Sequence, residues 1–154
     1  MKNCGFTLME LLIVIALIGI LSAMGTFAFS QYSKKSHIVN QTRMLYGDLM
    51  EYRIKALYEK KNWTFKISPT SYDIYSSADT AVEPVSTVIL KYPVLANITY
   101  ITFNSRGLTN NTGTVCVDSV SDAVVDSVVI STTRVKIGKK KEGTPCVSEN
   151  INAK

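Results

Sequence analysis

From Leu11 to Phe29 the chain runs nineteen residues without a charge, and Glu10 stands directly before that run. At ~1.5 Å per residue, a helix of this length covers roughly 28 Å, close to the ~30 Å hydrocarbon core of a bilayer. A secretory signal peptide would use Lys2 as its basic start and Ala23-Met24-Gly25 as a small-residue cleavage site. Such a peptide has no use for Glu10. Counted from Leu8, the acid lies inside the apolar stretch, where a central carboxylate costs about 2.5–3.5 kcal/mol and one near the edge costs less. An acid kept there marks function and calls for a cationic partner.

Beyond Ser30 the composition is that of an ordinary globular protein, and roughly 125 residues suffice for one small domain. No proline precedes Pro69. Apolar residues recur at Ile38, Leu45, Leu49, Tyr52 and Ala56, with a second row at Tyr46, Met50, Ile54 (on the flank) and Leu57. These spacings make one broad helical stripe. Lys34, Lys35, Arg43, Asp48, Glu51 and Lys55 lie largely off it. A helix from about Thr7 to Lys60 is expected, ~80 Å long, with Gly19 and Gly25 as its weak points. The second half changes period. Alternation at Trp63 to Ser68 and Tyr72 to Tyr75, around a Ser-Pro-Thr-Ser turn, predicts a hairpin. Val85 to Tyr92, Ile98 to Phe103, Thr114 to Val117, Val128 to Ser131 and Arg134 to Ile137 are further expected strands. Turn chemistry falls at Asn104 to Gly107 and Asn110 to Gly113. A long helix followed by short strands is an α+β layer pattern.

The segment Gly5-Phe6-Thr7-Leu8-Met9-Glu10-Leu11-Leu12 resembles the leader junction of type IV prepilins and type II secretion pseudopilins. The family pattern is a short basic leader, glycine, phenylalanine, then an acid five residues into the mature chain. The resemblance implies the pilin fold: a long N-terminal helix, its first half transmembrane, packed on an antiparallel β-sheet head. It implies that prepilin peptidase cuts between Gly5 and Phe6 and N-methylates Phe6, and that Glu10 meets the Phe6 amine of a neighbouring subunit. Physically, an ammonium and a carboxylate, each costly alone in lipid, neutralise one another when subunits stack. Ile101-Thr-Phe-Asn-Ser-Arg-Gly107, then Thr114-Val-Cys-Val, then Val128 to Lys136 are similar to H-type minor pseudopilins and their minor pilin relatives. Thr133 stands where those relatives often carry glycine, and the usual mid-helix proline is absent.

These expectations divide the chain into a cleaved leader (1–5), a transmembrane and filament-core half-helix (6–29), an amphipathic half-helix (30–60) and a β-rich head (61–154). The charges flanking the span, with Lys2 before it and Lys34 and Lys35 after, do not by themselves place the N-terminus in the cytoplasm. Insertion in the inner membrane with a periplasmic head, followed by assembly into a pilus or pseudopilus, is what the resemblance implies. So are the partners: sister subunits, prepilin peptidase and an inner-membrane assembly platform.

Cysteines occur at 4, 116 and 146, without C-x-x-C spacing. If Cys4 leaves with the leader, Cys116 and Cys146 remain as an even pair, which fits one disulfide in an oxidising compartment. Chain entropy gives about 3.7 kcal/mol for closing such a loop; two free buried thiols are the other reading. Arg134, Lys136, Lys139, Lys140 and Lys141 place five cations in eight residues. Arg134 and Lys136 would share a strand face, and Gly138 would release the lysines into a loop. DNA binding led by phosphate contacts is one reading of this cluster; a solvated edge strand guarded by lysines is the other.

Catalysis has no sequence support. His37 stands alone on the helix, and there is no phosphate-binding loop, G-x-S-x-G elbow or His-Glu-x-x-His. Asp118, Asp122 and Asp126 lack the spacing of a calcium loop. The expectation is a structural subunit, a minor pilin or minor pseudopilin, with no catalytic residues, metal or cofactor. A major pilin, a DNA-receptor pilin and a signal-anchored periplasmic binding domain are the alternatives.

Overall fold

The computed structural model describes residues 7–118 and 122–153, without the side chains of 24–28. The chain divides into two compact units, Met1–Lys34 and Lys35–Lys154. The first consists, as described, of the beginning of helix α1, which spans Leu8–Glu59. Neither Gly19 nor Gly25 ends it, and no proline is present to do so. From Leu8 to Ala23 every side chain is exposed.

The second unit holds the rest of α1, from Lys35, and two antiparallel sheets. Strands β1 (Trp63–Ile67), β2 (Ser71–Tyr75), β3 (Ser86–Ile89) and β5 (Tyr100–Phe103) form one sheet in the order β3-β2-β1-β5. Strands β4 (Val94–Ala96), β6 (Gly113–Val117), β7 (Ser127–Ile130), β8 (Val135–Lys140) and β9 (Ile151–Ala153) form the other, in the order β4-β6-β7-β8-β9. The expected stripe of α1 is largely the buried one: Ile38, Leu45, Leu49 and Ala56 meet Phe65, Tyr72 and Ile101 from the first sheet and Val115, Val128 and Ile130 from the second. Tyr46 and Met50 pack at its margin, whereas Ile54 and Leu57 are exposed. The helix closes where Lys60 turns to a φ of +56°, the left-handed step that ends many helices.

Three polar ties fasten α1 to the sheets. The Gln41 amide donates to the Tyr92 carbonyl (2.7 Å) and accepts from the Tyr92 N–H (2.9 Å), between β3 and β4. The Tyr72 hydroxyl donates to the Asp48 carboxylate. Arg53 Nε donates to the Gly107 carbonyl at 2.8 Å, in a turn where Asn104 Oδ1 accepts from the N–H groups of Arg106 and Leu108. Gly107 itself has a φ of +68° with Leu57 packed against its Cα, so a side chain there would be strained and crowded.

Burial first, and the Asp48 carboxylate second, raise the pKa of the Tyr72 phenol well above its ordinary value. An unfolded tyrosine loses its proton near ~10, while folded Tyr72 keeps it. The contribution is therefore complete below that pH and is lost as pH rises beyond it, because the unfolded chain then releases the proton. Replacing Tyr72 with Phe strands the half-buried Asp48 and is expected to cost about 1–3 kcal/mol at neutral pH. Denaturant midpoints measured from pH 8 to 11 should fall less steeply above pH ~10 in the variant than in the parent chain; an equal fall would show that Tyr72 makes no such contribution.

Several expected boundaries shift, and β4 and β9 are strands beyond those the sequence pattern predicts. The larger correction concerns β8. Gly138 does not release the lysines into a loop; the strand continues through it to Lys140. A Cβ at Gly138 would come within 2.6 Å of Ile151 Cγ2 and 2.7 Å of the Asn152 carbonyl. Glycine is required there for close approach of β9 rather than for a break. Nor is β8 an edge strand, since β7 and β9 flank it.

Candidate functional site

Thr7 begins the helix. Its hydroxyl accepts a hydrogen bond from the Glu10 N–H at 3.2 Å, and its carbonyl accepts from Leu11 N–H at 3.2 Å. Thr7-Leu-Met-Glu10 is the Ser/Thr-x-x-Glu start of a helix, a local signal for the position at which α1 begins. One of the first-turn N–H groups is satisfied this way, and the Glu10 carboxylate sits where the helix dipole favours an anion. Gly5 and Phe6, the expected cleavage and methylation positions, lie outside the described residues.

Behind Glu10, the side chains of Leu11, Leu12, Ile13, Val14, Ile15 and Leu17 are each at least 41% exposed, and the pattern continues to Leu21. So much contiguous apolar surface marks a protein or lipid contact. Among the described residues, no helix is long and apolar enough to cross a membrane. The described side chains of this stretch stop at Ala23, while the uncharged run continues in sequence to Phe29.

The second expected site, the basic cluster, is divided by the fold. Lys139 Nζ pairs with Asp122 at 3.0 Å, and Lys35 Nζ reaches the other oxygen of the same carboxylate at 3.2 Å. Lys139 first and Lys35 second hold the Asp122 carboxyl below its ordinary pKa; Asp122 in turn raises that of Lys139. Lys140 Nζ donates to the Thr144 carbonyl at 3.0 Å. Arg134, Lys136 and Lys141 stay exposed without an ion pair among the described residues. Arg134 lies just before β8 and Lys136 within it, and of the five expected cations only Lys139 is in an ion pair among the described residues.

Cys116 and Cys146 are joined as a disulfide, with Cα atoms 6.0 Å apart. Asp126, one of the acids considered as a cation ligand, is buried instead. Its Oδ1 accepts from the Lys140 N–H (2.7 Å) and from the Ser127 hydroxyl (2.6 Å). No group of three or more metal-ligating side chains occurs among the described residues. His37 is exposed on α1.

Residues 1–26 match the model of the prokaryotic N-terminal methylation motif. No curated protein matches the sequence. The fold is similar to that of the type IV minor pilin FimU of Pseudomonas aeruginosa in two crystal forms. One gives a TM-score of 0.56 at 12% identity, covering 69% of this chain and 91% of that one. The other gives 0.51 at 13% identity, over 64% and 90%. At such identity the likeness is one of fold. The chain thus combines a methylation-motif start with a fold similar to that of a type IV pilin. The pilin fold it resembles in these structures is that of a minor pilin.

Proposed function

We propose that the chain is a non-enzymatic structural subunit, a minor pilin, made as a precursor and built into a filament through its N-terminal helix. Prepilin peptidase cuts between Gly5 and Phe6 and methylates the Phe6 amine. The helix start then holds the subunit in the inner membrane, with the head on the periplasmic side, until it meets sister subunits at the assembly platform. The filament is a type IV pilus or a type II secretion pseudopilus. The observation that carries this reading is the helix start itself: Glu10 in the first turn of α1, capped by Thr7, followed by an exposed, charge-free apolar surface.

Chemistry explains why these parts belong together. Once the leader is gone, Phe6 carries a cationic amine four residues before the only acid of the apolar stretch. Between chains offset along the axis, the amine of one subunit and the acid of the next can neutralise one another. Such pairing sets axial register while apolar surface supplies most of the attraction.

Intact-mass measurement of the membrane-extracted protein should show loss of Met1 to Gly5 and gain of one methyl group. A chain starting at Thr26 would mean an ordinary signal peptide and would overturn the proposal. The same measurement reports whether Cys4 departs, leaving Cys116 and Cys146 as the mature pair.

A further inference from the structure

The C-terminal segment is joined to the head by few and separable ties. Within residues 142–153, every described hydrogen bond stays inside the segment or goes to the strand beside it, β8, and the residue that follows it. The ladder pairs Gly138 with Ala153, Lys139 with Asn152 and Lys140 with Ile151. Lys141 N–H reaches the Asn150 carbonyl, and Lys140 Nζ reaches the Thr144 carbonyl. Thr144 donates from its N–H and its hydroxyl to the Lys141 carbonyl, and Val147 to Pro145, Asn150 to Val147, Asn150 Nδ2 to Pro145 and Ile151 to Ser148 are local bonds.

Apolar packing is equally separate. Val115 and Val117 of β6 face the main core with α1, and the residue between them, Cys116, faces the other way. On that outer face Cys116, Val129 and Ile151 form a small cluster of their own, with Cys146 at its edge. No member of the main core belongs to it. The sole covalent tie beyond β8 is the disulfide to Cys116.

We infer that residues 142–153 form a disulfide-latched flap, which a dithiol reductant opens while the main core stays folded. The two sulfurs are not equivalent: Cys116 is fully buried and Cys146 only partly so. A thiolate of the reductant attacks Cys146 Sγ, forming a mixed disulfide and releasing Cys116 as a thiolate, which takes up a proton. The second thiol of the reductant, deprotonated, attacks its own sulfur in that mixed disulfide and releases Cys146, which is protonated in turn. The latch gains two electrons and two protons; the dithiol becomes a disulfide.

Opening uncovers the far edge of β8 and the outer face of β6. Thr114, two residues before Cys116 on that face, has a buried hydroxyl with no hydrogen-bond partner among the described residues, and it lines the same cleft as Ser148 of the flap. The uncovered edge carries Lys139 and Lys140, and lysines on an edge strand oppose pairing with another chain. An open flap therefore leaves the head soluble, with a basic strand edge presented to solvent.

Hydrogen exchange of the full chain in detergent micelles, with and without dithiothreitol at neutral pH, tests this. Amides of residues 139–153 should exchange at least tenfold faster in the reduced protein, and those of β1, β2 and β5 at unchanged rates. The double variant Cys116→Ser/Cys146→Ser should behave as the reduced protein without any reductant. Unchanged exchange throughout would show that the disulfide is not the latch. Acceleration across the whole head would show that the flap is part of one cooperative unit; either result overturns the inference. Brief exposure to glutathione, followed by peptide mapping, should place the adduct on Cys146, and an adduct on Cys116 instead would overturn the proposed direction of attack.

Discussion

Glu10→Leu should remove the subunit from filaments almost completely while leaving its amount in the membrane unchanged. The substitution keeps an apolar, helix-favouring residue at the position and leaves the Thr7 hydroxyl bond intact, because that bond uses the Glu10 backbone N–H. What goes is the anion. On the proposed function, the Phe6 amine of a neighbouring chain then enters an apolar contact without its partner. Breaking a buried pair from one side typically costs about 3–5 kcal/mol, a factor of roughly a hundred to several thousand in the assembly equilibrium. The measurement is the ratio of this subunit to the bulk subunit in sheared filaments or pseudopili, against its level in the membrane fraction. Normal incorporation of the Leu variant would remove Glu10 from assembly altogether, whatever the processing result.

Phe65→Ala should be the most damaging single change in the head. Phe65 is fully buried in β1. Its ring meets Tyr52 edge-on at 5.6 Å between centroids, Tyr72 at 6.1 Å and Phe103 edge-on at 6.3 Å. It thus joins the helix, β2 and β5 in one aromatic cluster. Truncation removes all three contacts and leaves a cavity that the three surrounding rings and the strands cannot collapse into, at a cost of about 3–5 kcal/mol. Small domains hold only about 5–15 kcal/mol in total, so a large share of the stability goes. Trp63, the single tryptophan, meets Tyr52 with tilted rings 4.7 Å apart and reports the loss directly, as a lower denaturant midpoint of its fluorescence. A midpoint shift worth less than 1 kcal/mol would mean the site repacks, and that the cluster does not hold the two layers together.

Features encoded locally were legible in the sequence. Ile38, Leu45, Leu49 and Ala56 announce the buried side of α1 because helical period brings them together whatever the rest of the chain does. The alternation of Trp63, Phe65 and Ile67 announces β1 for the same reason. Gly5, Phe6 and Glu10 form a motif within six residues, and the methylation-motif match falls on the same stretch. Ile54, expected on the flank, and Leu57 are both exposed at the margin of the stripe, Leu57 lying beside the Gly107 turn.

Features that depend on distant partners were not legible. A three-residue strand such as β4 or β9 shows too little period to be seen; β9 exists because Gly138 admits it and Cys146 holds its approach. The fate of Lys139 was decided by Asp122, seventeen residues away, and that of Asp122 also by Lys35, 87 residues away. Division of the strands into two sheets belongs to the same class, since each strand is consistent with either neighbour until the helix selects one.

The three polar ties of α1 also determine how the head bears load. Gln41, Asp48 and Arg53 follow one another along the helix at intervals of about 10 Å and 7.5 Å, taking ~1.5 Å per residue. Each grips a different part of the head: the β3–β4 connection, β2 and the turn after β5. Tension along α1 therefore strains all three at once, in shear, together with the apolar stripe between them. A helix gripped at one end would peel away one contact after another. Here failure requires several bonds to break together, which on the proposed function is the mechanical behaviour a thread under traction needs from each of its links.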